Sequence, residues 1–271
     1  MSLHILVLVD QRYRGQLQPR GMVKSLRKRG ARVVVYDETQ VDDGSWEADA
    51  RACDLVVARA RHPRLLTALD QARGLGAAVL DTAESIESVR DKRVMTTAFA
   101  TSGVPVPRTV AGGVAEVLGS DLAYPLICKP VFGDNSAGLV VVDSAAELAT
   151  LTWPEPEMIA QEYRPGLGAD LKLYVIDGAV TAVRKPSPIS PCVSDELGAA
   201  PLTDPLVRLA RRCGALFGLH LFGVDCLETR DGIEVLEVND FPNYTAVPFA
   251  SRRLARHVLV HAAQHRQAVA A

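Results

Sequence analysis

The chain has 271 residues, is 48% hydrophobic and carries a net charge of −2. Such a length exceeds one compact core, and the apolar content argues against extensive disorder. The near-neutral charge gives no general attraction to nucleic acid or to a membrane surface. Five cysteines, at 53, 128, 192, 213 and 226, lack C-x-x-C spacing, which fits reduced thiols better than a disulfide framework. The N-terminal apolar run is too short for a signal peptide, and no stretch approaches membrane-spanning length. A soluble, cytoplasmic protein is expected.

Ile5–Val9 is a continuous apolar run of the kind that forms buried parallel strands. A helical pattern through Met22, Val23 and Leu26 ends at Gly30, and strands are expected at Val33–Tyr36, Asp54–Ala58 and Ala77–Leu80, with a helix over Leu65–Arg73. This alternation predicts a small doubly wound parallel sheet, which holds ligands at the carboxyl ends of its strands. The loops at those ends, 10–14 and 59–64, carry five arginines and His62. They read either as a solvated basic rim or as a seat for an anionic substrate, since the guanidinium fork suits carboxylate and phosphate alike. Arg59, Arg61 and His62 are the candidate substrate contacts.

Residues 84–100 read as one helix containing Arg90, Asp91 and Lys92, and Gly103–Thr109 as an extended connector because its prolines exclude helix. Tyr124–Pro130 is a strand ending at Lys129. The small-residue loop 133–138, with Gly133 and Ser136, precedes another strand, so backbone N–H groups there could close over phosphates beside a lysine. Met158–Tyr163 and Asp170–Ile176 are further strands, and along the second Asp170, Lys172 and Tyr174 share a face. Asp177-Gly178 turns the chain into a strand that ends at Arg184 and Lys185. Residues 186–200 read as a loop or lid, and Leu206–Phe217 as an amphipathic helix closing at Gly218.

Two apolar runs, Leu219–Leu227 and Ile233–Val238, flank Asp231-Gly232, a tight-turn signal for an antiparallel hairpin. Strand alternation sets Val235, Glu237 and Asn239 on one face and Glu234, Leu236 and Val238 on the other. Pairing brings Asp225 near Glu237 and Asn239. Three oxygen donors without nitrogen or sulfur suit Mg²⁺ or Mn²⁺, whereas the plainer alternative is an edge hairpin with its polar residues in water. In the C-terminal helix, His257, His261 and His265 line one face. With no carboxylate or cysteine among them, they read as an exposed polar face rather than a metal site.

The motifs now stand in an order: Asp91-Lys92, Pro105-Val-Pro-Arg-Thr109, Cys128-Lys-Pro130, a small-residue loop, Gln161-Glu-Tyr163, Asp170-x-Lys172, Gly223-Val-Asp225 and Glu237-Val-Asn239. Over about residues 84–250 this resembles the ATP-grasp superfamily, particularly its RimK-type and glutathione-synthetase-type carboxylate–amine ligases. The resemblance implies an ATP-grasp fold with three parts: an N-terminal α/β substrate domain over 1–88, a central subdomain over 89–164 and a C-terminal, metal-bearing subdomain over 165–271. It further implies that Lys92 and Lys129 contact ATP phosphates beneath the loop of Gly133 and Ser136. Gln161, Glu162 and Tyr163 would hold adenine, largely through backbone and the glutamate, and Asp170 would lie near the ribose. Asp225, Glu237 and Asn239 would bind Mg²⁺, with Arg184, Lys185 and Lys172 as the catalytic cations facing the transferred phosphoryl group.

Three departures from the RimK pattern stand out. Lys172 replaces an arginine, residues 186–200 lack the Arg-x-x-Asn…Gly-Gly lid, and Asn243-Tyr244 follows the last proline. Asp170–Val175, Val183–Ser187 and Leu221–Asp225 resemble stretches of the inositol-phosphate kinases of the same fold. The expected function is therefore an ATP-dependent ligase joining a small-molecule or peptide carboxylate to an amine through an acyl phosphate. A polyol-phosphate kinase is the runner-up, and a non-catalytic nucleotide-binding module the third reading. Nucleic acid and membrane partners are not expected, and a homodimer is compatible with the sequence.

Overall fold

In this computed structural model, β1 (His4–Val9), β2 (Arg32–Tyr36) and β3 (Leu55–Arg59) form a parallel sheet in the order β2-β1-β3. Helices α1 (Leu17–Lys28), α2 (Ser45–Ala52) and α3 (Pro63–Gly74) wind on both faces. The structure describes residues 2–41, 44–133, 137–164, 169–187 and 197–270. β1 is buried on both sides: Ile5, Val7 and Val9 cluster with Met22 and Leu26 of α1, while Leu6 and Leu8 cluster with Trp46 of α2 and Leu65 of α3. Strand order reverses at β1, so a crevice opens where its carboxyl end meets that of β3. The expected fourth strand shrinks to a single bridge between Val56 and Val79, because the chain turns away at Asp81 into the Thr82 cap of the next helix.

The helix expected over 84–100 is two helices, α4 (Ala83–Arg90) and α5 (Lys92–Ser102). Asp91 breaks them: its backbone is extended, and its carboxylate accepts the Arg93 N–H at 2.9 Å as the cap of α5. That break sets Lys92 at a helix start. A second sheet follows, built from β4 (Thr109–Gly112), β5 (Leu126–Lys129), β6 (Val140–Val142) and β7 (Met158–Glu162) in the antiparallel order β4-β7-β5-β6. One face packs Leu126, Cys128, Met158 and Ala160 against α6 (Val114–Leu118) and α7 (Ala145–Thr150).

The third sheet is antiparallel, ordered β10-β9-β8-β11-β12. Its strands are β8 (Ala169–Ile176), β9 (Ala179–Pro186), β10 (Gly198–Ala199), β11 (Leu221–Thr229) and β12 (Gly232–Asp240). One face clusters Leu171, Leu173, Val224 and Cys226 with Leu206, Ala210 and Phe217 of α8 (Asp204–Phe217). The approach is close at Gly214, where a methyl group would lie 2.5 Å from the Phe222 ring. On the other face Tyr174, Ile176 and Val183 join Phe241, Tyr244 and the helix α9 (Ala250–Ala270) in one cluster that also contains Ile5, Val7 and Met22. α9 thus knits the first and third sheets into one core. That packing corrects the expectation of an exposed histidine face, since His257 is only 1% exposed. Among the described residues, no helix is long and apolar enough to cross a membrane.

Leu254, at 0% exposure on α9, tests this union. Leu254→Ala is expected to lower unfolding stability by about 2–5 kcal/mol in a urea titration. Val269→Ala, at a position 74% exposed on the same helix, should stay within about 0.5 kcal/mol of the parent. Equal midpoints for the two variants would show that α9 does not hold the core together.

Candidate active site

Lys172, Asp225 and Glu237 sit opposite one another on β8, β11 and β12. Directly opposed residues in an antiparallel ladder point to the same side, so the three form one row. Lys172 Nζ lies 2.8 Å from Asp225 Oδ1, and Asn239 Nδ2 donates to Asp225 Oδ2 at 2.7 Å. From α5, Lys92 Nζ reaches to 3.8 Å from Glu237 Oε2 and donates to the Gly133 carbonyl at 3.0 Å. On β5, Lys129 donates to Gln161 Oε1 at 2.7 Å.

The row depends on a β-bulge. Asp225 pairs with Glu237 but Cys226 pairs with Val235, leaving Leu236 without an opposite residue. Simple alternation through β12 is thereby corrected: Val235 lies with Val238 in the core against α8, not beside Glu237. Leu236 instead lines a small cavity with Lys92, Thr109, Lys129 and Gln161, between the second and third sheets.

The charges perturb one another. Desolvation raises the Asp225 carboxyl, opposed by Lys172. For Glu237 desolvation also pushes upward, but Lys92, Lys129, the Asn239 hydrogen bond and Lys172 outweigh it and the carboxyl falls below its ordinary value. Desolvation pulls the Lys129 ammonium down to about 8, with Glu237 opposing. Burial acts the same way on Lys172, yet Asp225 outweighs it and the ammonium rises. Asp170 rises through desolvation.

Strand geometry sorts the remaining candidates. Gln161 and Glu162 are consecutive on β7 and face opposite ways. Gln161 turns toward Lys129 and Thr109, whereas Glu162 accepts from Arg108 at 3.1 Å and from the Ala123 N–H at 3.0 Å on the helix-covered side. The expectation that the Glu162 side chain holds adenine is corrected by that placement. Tyr163 ends the strand, half-buried, with its N–H donated to the Pro125 carbonyl.

Arg184 and Lys185 divide in the same way. Lys185 points into the cleft, donating to the Tyr174 hydroxyl at 2.5 Å, while Arg184 turns to the α8-covered face and pairs with Glu228 at 2.7 and 3.0 Å. Arg184 is therefore not the cation that faces this cleft. Ser136, with residues 134 and 135 of its loop, and much of 186–200 lie outside the described residues.

A cavity of about 410 Å³ extends from the row to the crevice of the first sheet, lined among others by Tyr13, Gln16, Arg59, Arg61, Arg90, Asp170, Lys185 and Asp240. Arg59 stacks on Tyr13, 4.5 Å from the ring centre, and donates to the Phe241 carbonyl and to Gln16. Arg90 grips Asp240 with two nitrogens at 3.0–3.2 Å. His62 does not line this cavity; its Nδ1 accepts the Arg64 N–H as the cap of α3, which corrects its candidacy as a substrate contact. Tyr13, Gln16, Arg90 and Asp240 were not foreseen from the sequence. Asp240 directly follows Asn239, and a charge adjoining a ligand motif was the available signal.

The oxygen donors fit a hard divalent cation. Asp225, Glu237 and Asn239 bring two carboxylates and an amide with no nitrogen heterocycle or thiol among them. Here the ammonium groups of Lys172 and Lys92 stand in for cationic charge beside the two acids.

Residues 90–252 match the profile of the RimK-like ATP-grasp domain. An inositol-tetrakisphosphate 1-kinase 3 from Glycine max is 27% identical over 214 residues, covering 63% of this chain and 60% of that protein. A probable alpha-L-glutamate ligase from Hydrogenovibrio crunogenus is 28% identical over 200 residues, covering 68% of this chain and 66% of its own length. The chain thus spans about two thirds or less of these curated relatives. Among solved structures, the ATP-grasp ligase PsnB complexed with minimal precursor, Mg and ADP superposes with a TM-score of 0.74 at 20% identity, covering 95% of this chain and 97% of that one. The profile match takes in more than half of the chain, and the motifs it spans are those that build the row and its cleft: the protein belongs to the RimK-like ATP-grasp family.

Proposed function

We propose that the protein is an ATP-dependent carboxylate–amine ligase. The observation that carries this reading is the charge balance of the cavity between the row and the first sheet. Its lining holds five cations (Arg59, Arg61, Arg90, Lys172, Lys185) against four carboxylates (Asp170, Asp225, Glu237, Asp240). Arg90 is matched by Asp240 and Lys172 by Asp225. Such a lining suits an acceptor carrying one carboxylate better than a polyphosphate, whose many charges would meet the four acids.

In this reading Lys92, Lys129 and the backbone at Gly133 hold the ATP phosphates, and the segment Gln161–Tyr163 at the end of β7 lies along adenine. Asp225, Glu237 and Asn239 would hold the Mg²⁺ that accompanies ATP, which supplies neutralisation of phosphate charge. Lys172 and Lys185 flank the transferred phosphoryl group, and Asp170 lies on the same face toward the ribose. Arg59, Arg61 and Tyr13 orient the acceptor carboxylate. One carboxylate oxygen attacks the γ-phosphorus as ADP leaves; the amine nitrogen then attacks the acyl carbon, phosphate departs and the amine loses a proton. Positioning and charge neutralisation are the protein's main contribution to such a phosphoryl transfer. Residues 1–88 would serve the acceptor and 89–271 would grasp the nucleotide.

The kinase reading draws on a different observation, the similarity to inositol-tetrakisphosphate 1-kinases together with the Asp170-x-Lys172-x-Tyr174 face. Incubation with ATP and pooled carboxylates and amines separates the two. Release of inorganic phosphate with a condensed product by mass is expected, and a phosphorylated acceptor without free phosphate would establish the kinase. ATP binding with no turnover on any pool would leave a nucleotide-binding module.

Glu237→Gln is expected to lower kcat/KM roughly 100- to 1,000-fold and to raise the Mg²⁺ concentration required. Unchanged Mg²⁺ dependence would remove Glu237 from the metal site. ATP affinity should also report Lys129. Bound phosphate raises the pKa of its ammonium above the free value of about 8, so the lysine's contribution is complete below pH 8 and is lost as pH rises above it. Affinity should be flat below that point and fall toward about tenfold per pH unit above it. Lys129→Arg should abolish the decline, and a decline that persists in this variant would assign it to another group.

A further inference from the structure

On α9, apart from the lining of the cavity beside the row, three imidazoles meet. His257 and His261 are one helical turn apart, and His220 immediately precedes β11. One ring nitrogen from each lies within 4.8 Å of the others, and the ring centres are 4.3, 5.2 and 6.0 Å apart. Sequence spacing aligns His257 and His261 with His265, but the fold brings to them His220, 37 residues before His257 in the chain.

The pivotal group is His257. It is 1% exposed, yet its Nε2 has no hydrogen-bond partner among the described residues. The other nitrogen, Nδ1, faces Asp177 of the β8–β9 turn, whose Oδ1 lies 3.0 Å away. A buried imidazole with one nitrogen on a carboxylate and the other unpartnered among imidazoles is unfavourable unless something accepts its lone pair. A cation with a taste for nitrogen does that.

We propose that His220, His257 and His261 form a binding site for a divalent transition ion of the zinc class, with Asp177 orienting the His257 ring. Three imidazole nitrogens suit Zn²⁺, Co²⁺ or Ni²⁺ and disfavour Mg²⁺, so this site and the oxygen-lined cleft select different ions. Tetrahedral coordination at about 2.0–2.1 Å requires nitrogens about 3.4 Å apart, a contraction within reach of side-chain rotation. The exposed ring of His220 gives an ion its way in. The site clips α9 to the start of β11, beside the helix face that joins the first and third sheets. Its role is thus structural rather than catalytic.

The test uses the full, untagged chain, stripped by chelator and titrated with Co²⁺ in excess Mg²⁺. One equivalent should produce visible d–d absorption of a nitrogen- and oxygen-ligated ion, and Zn²⁺ should displace it and raise the melting temperature. His220→Gln and His261→Gln should each weaken Co²⁺ binding by more than about tenfold and abolish the Zn²⁺-induced shift. Because His220 is exposed, its variant should keep the parent's circular dichroism and its metal-free melting temperature. Glu237→Ala should bind Co²⁺ as the parent does. Absence of the spectrum, an unchanged titration in both histidine variants, loss of binding in Glu237→Ala, or an intense thiolate charge-transfer band would each overturn the proposal.

Discussion

Charge compensation around the row of Lys172, Asp225 and Glu237 is the constraint on which the cleft depends. Two carboxylates on adjacent strands repel, and burial penalises both, so cations must arrive from outside the pair. They come from three directions: Lys172 along β8, Lys92 from the broken start of α5, and Lys129 from the second sheet. The break at Asp91 is what makes the second contribution possible, because an unbroken helix would carry Lys92 past Glu237 in a different orientation. The same ammonium groups that quiet the acids are those a bound triphosphate would need, and a divalent cation would compete with them for the carboxylates. Such a buried ionic set adds little net stability, which is consistent with a set retained for binding.

Strands that carry site residues also carry core on their other side, and this two-sidedness fixes which side chains can act. At β9 the neighbours Arg184 and Lys185 part company, one to Glu228 and one to the cleft. At β7 the same division sends Glu162 to Arg108 and leaves Gln161 to Lys129. At β12 the bulge at Leu236 lets Val235 and Val238 both reach the α8 core while Glu237 stays in the row, an arrangement that strict alternation forbids. Rigid elements hold functional groups better than loops do, and here the rigidity comes from the packed reverse face.

Much of this was legible in the sequence, for physical reasons. The Asp231-Gly232 turn and two apolar runs foretell the hairpin, and the pairing of Asp225 with Glu237 follows from it. The βα alternation of the first hundred residues foretells the parallel sheet. What escaped detection shares a cause: each case turns on one residue of register or on a contact between distant segments. A bulge leaves no mark in a period-two pattern, so Val235 was assigned to the wrong face. Adjacent polar residues such as Arg184 and Lys185 give no sign of which one looks inward. Residues 77–80 have a strand's composition, yet the cap at Thr82 takes the chain away after one bridge. The burial of His257 was hidden because α9 is amphipathic in two directions, toward the first sheet and toward the third.

The first sheet contributes more to the site than its distance along the chain implies. Arg59 is buried, stacked on Tyr13 and bonded to the carbonyl of Phe241, which lies directly after β12. The wall of the cavity is therefore assembled from β3, from the loop after β1 and from the exit of the β11–β12 hairpin, three segments held in register by the core that α9 completes. Under the ligase reading, a change of acceptor needs no change in the row of Lys172, Asp225 and Glu237. It requires new side chains at positions such as Tyr13, Gln16 and Arg61, which sit on the crevice and outside the Lys172–Asp225–Glu237 row. Under the ligase reading, this separation lets one phosphate-handling apparatus serve many carboxylates, with the choice among them written in the loops at the carboxyl ends of β1 and β3.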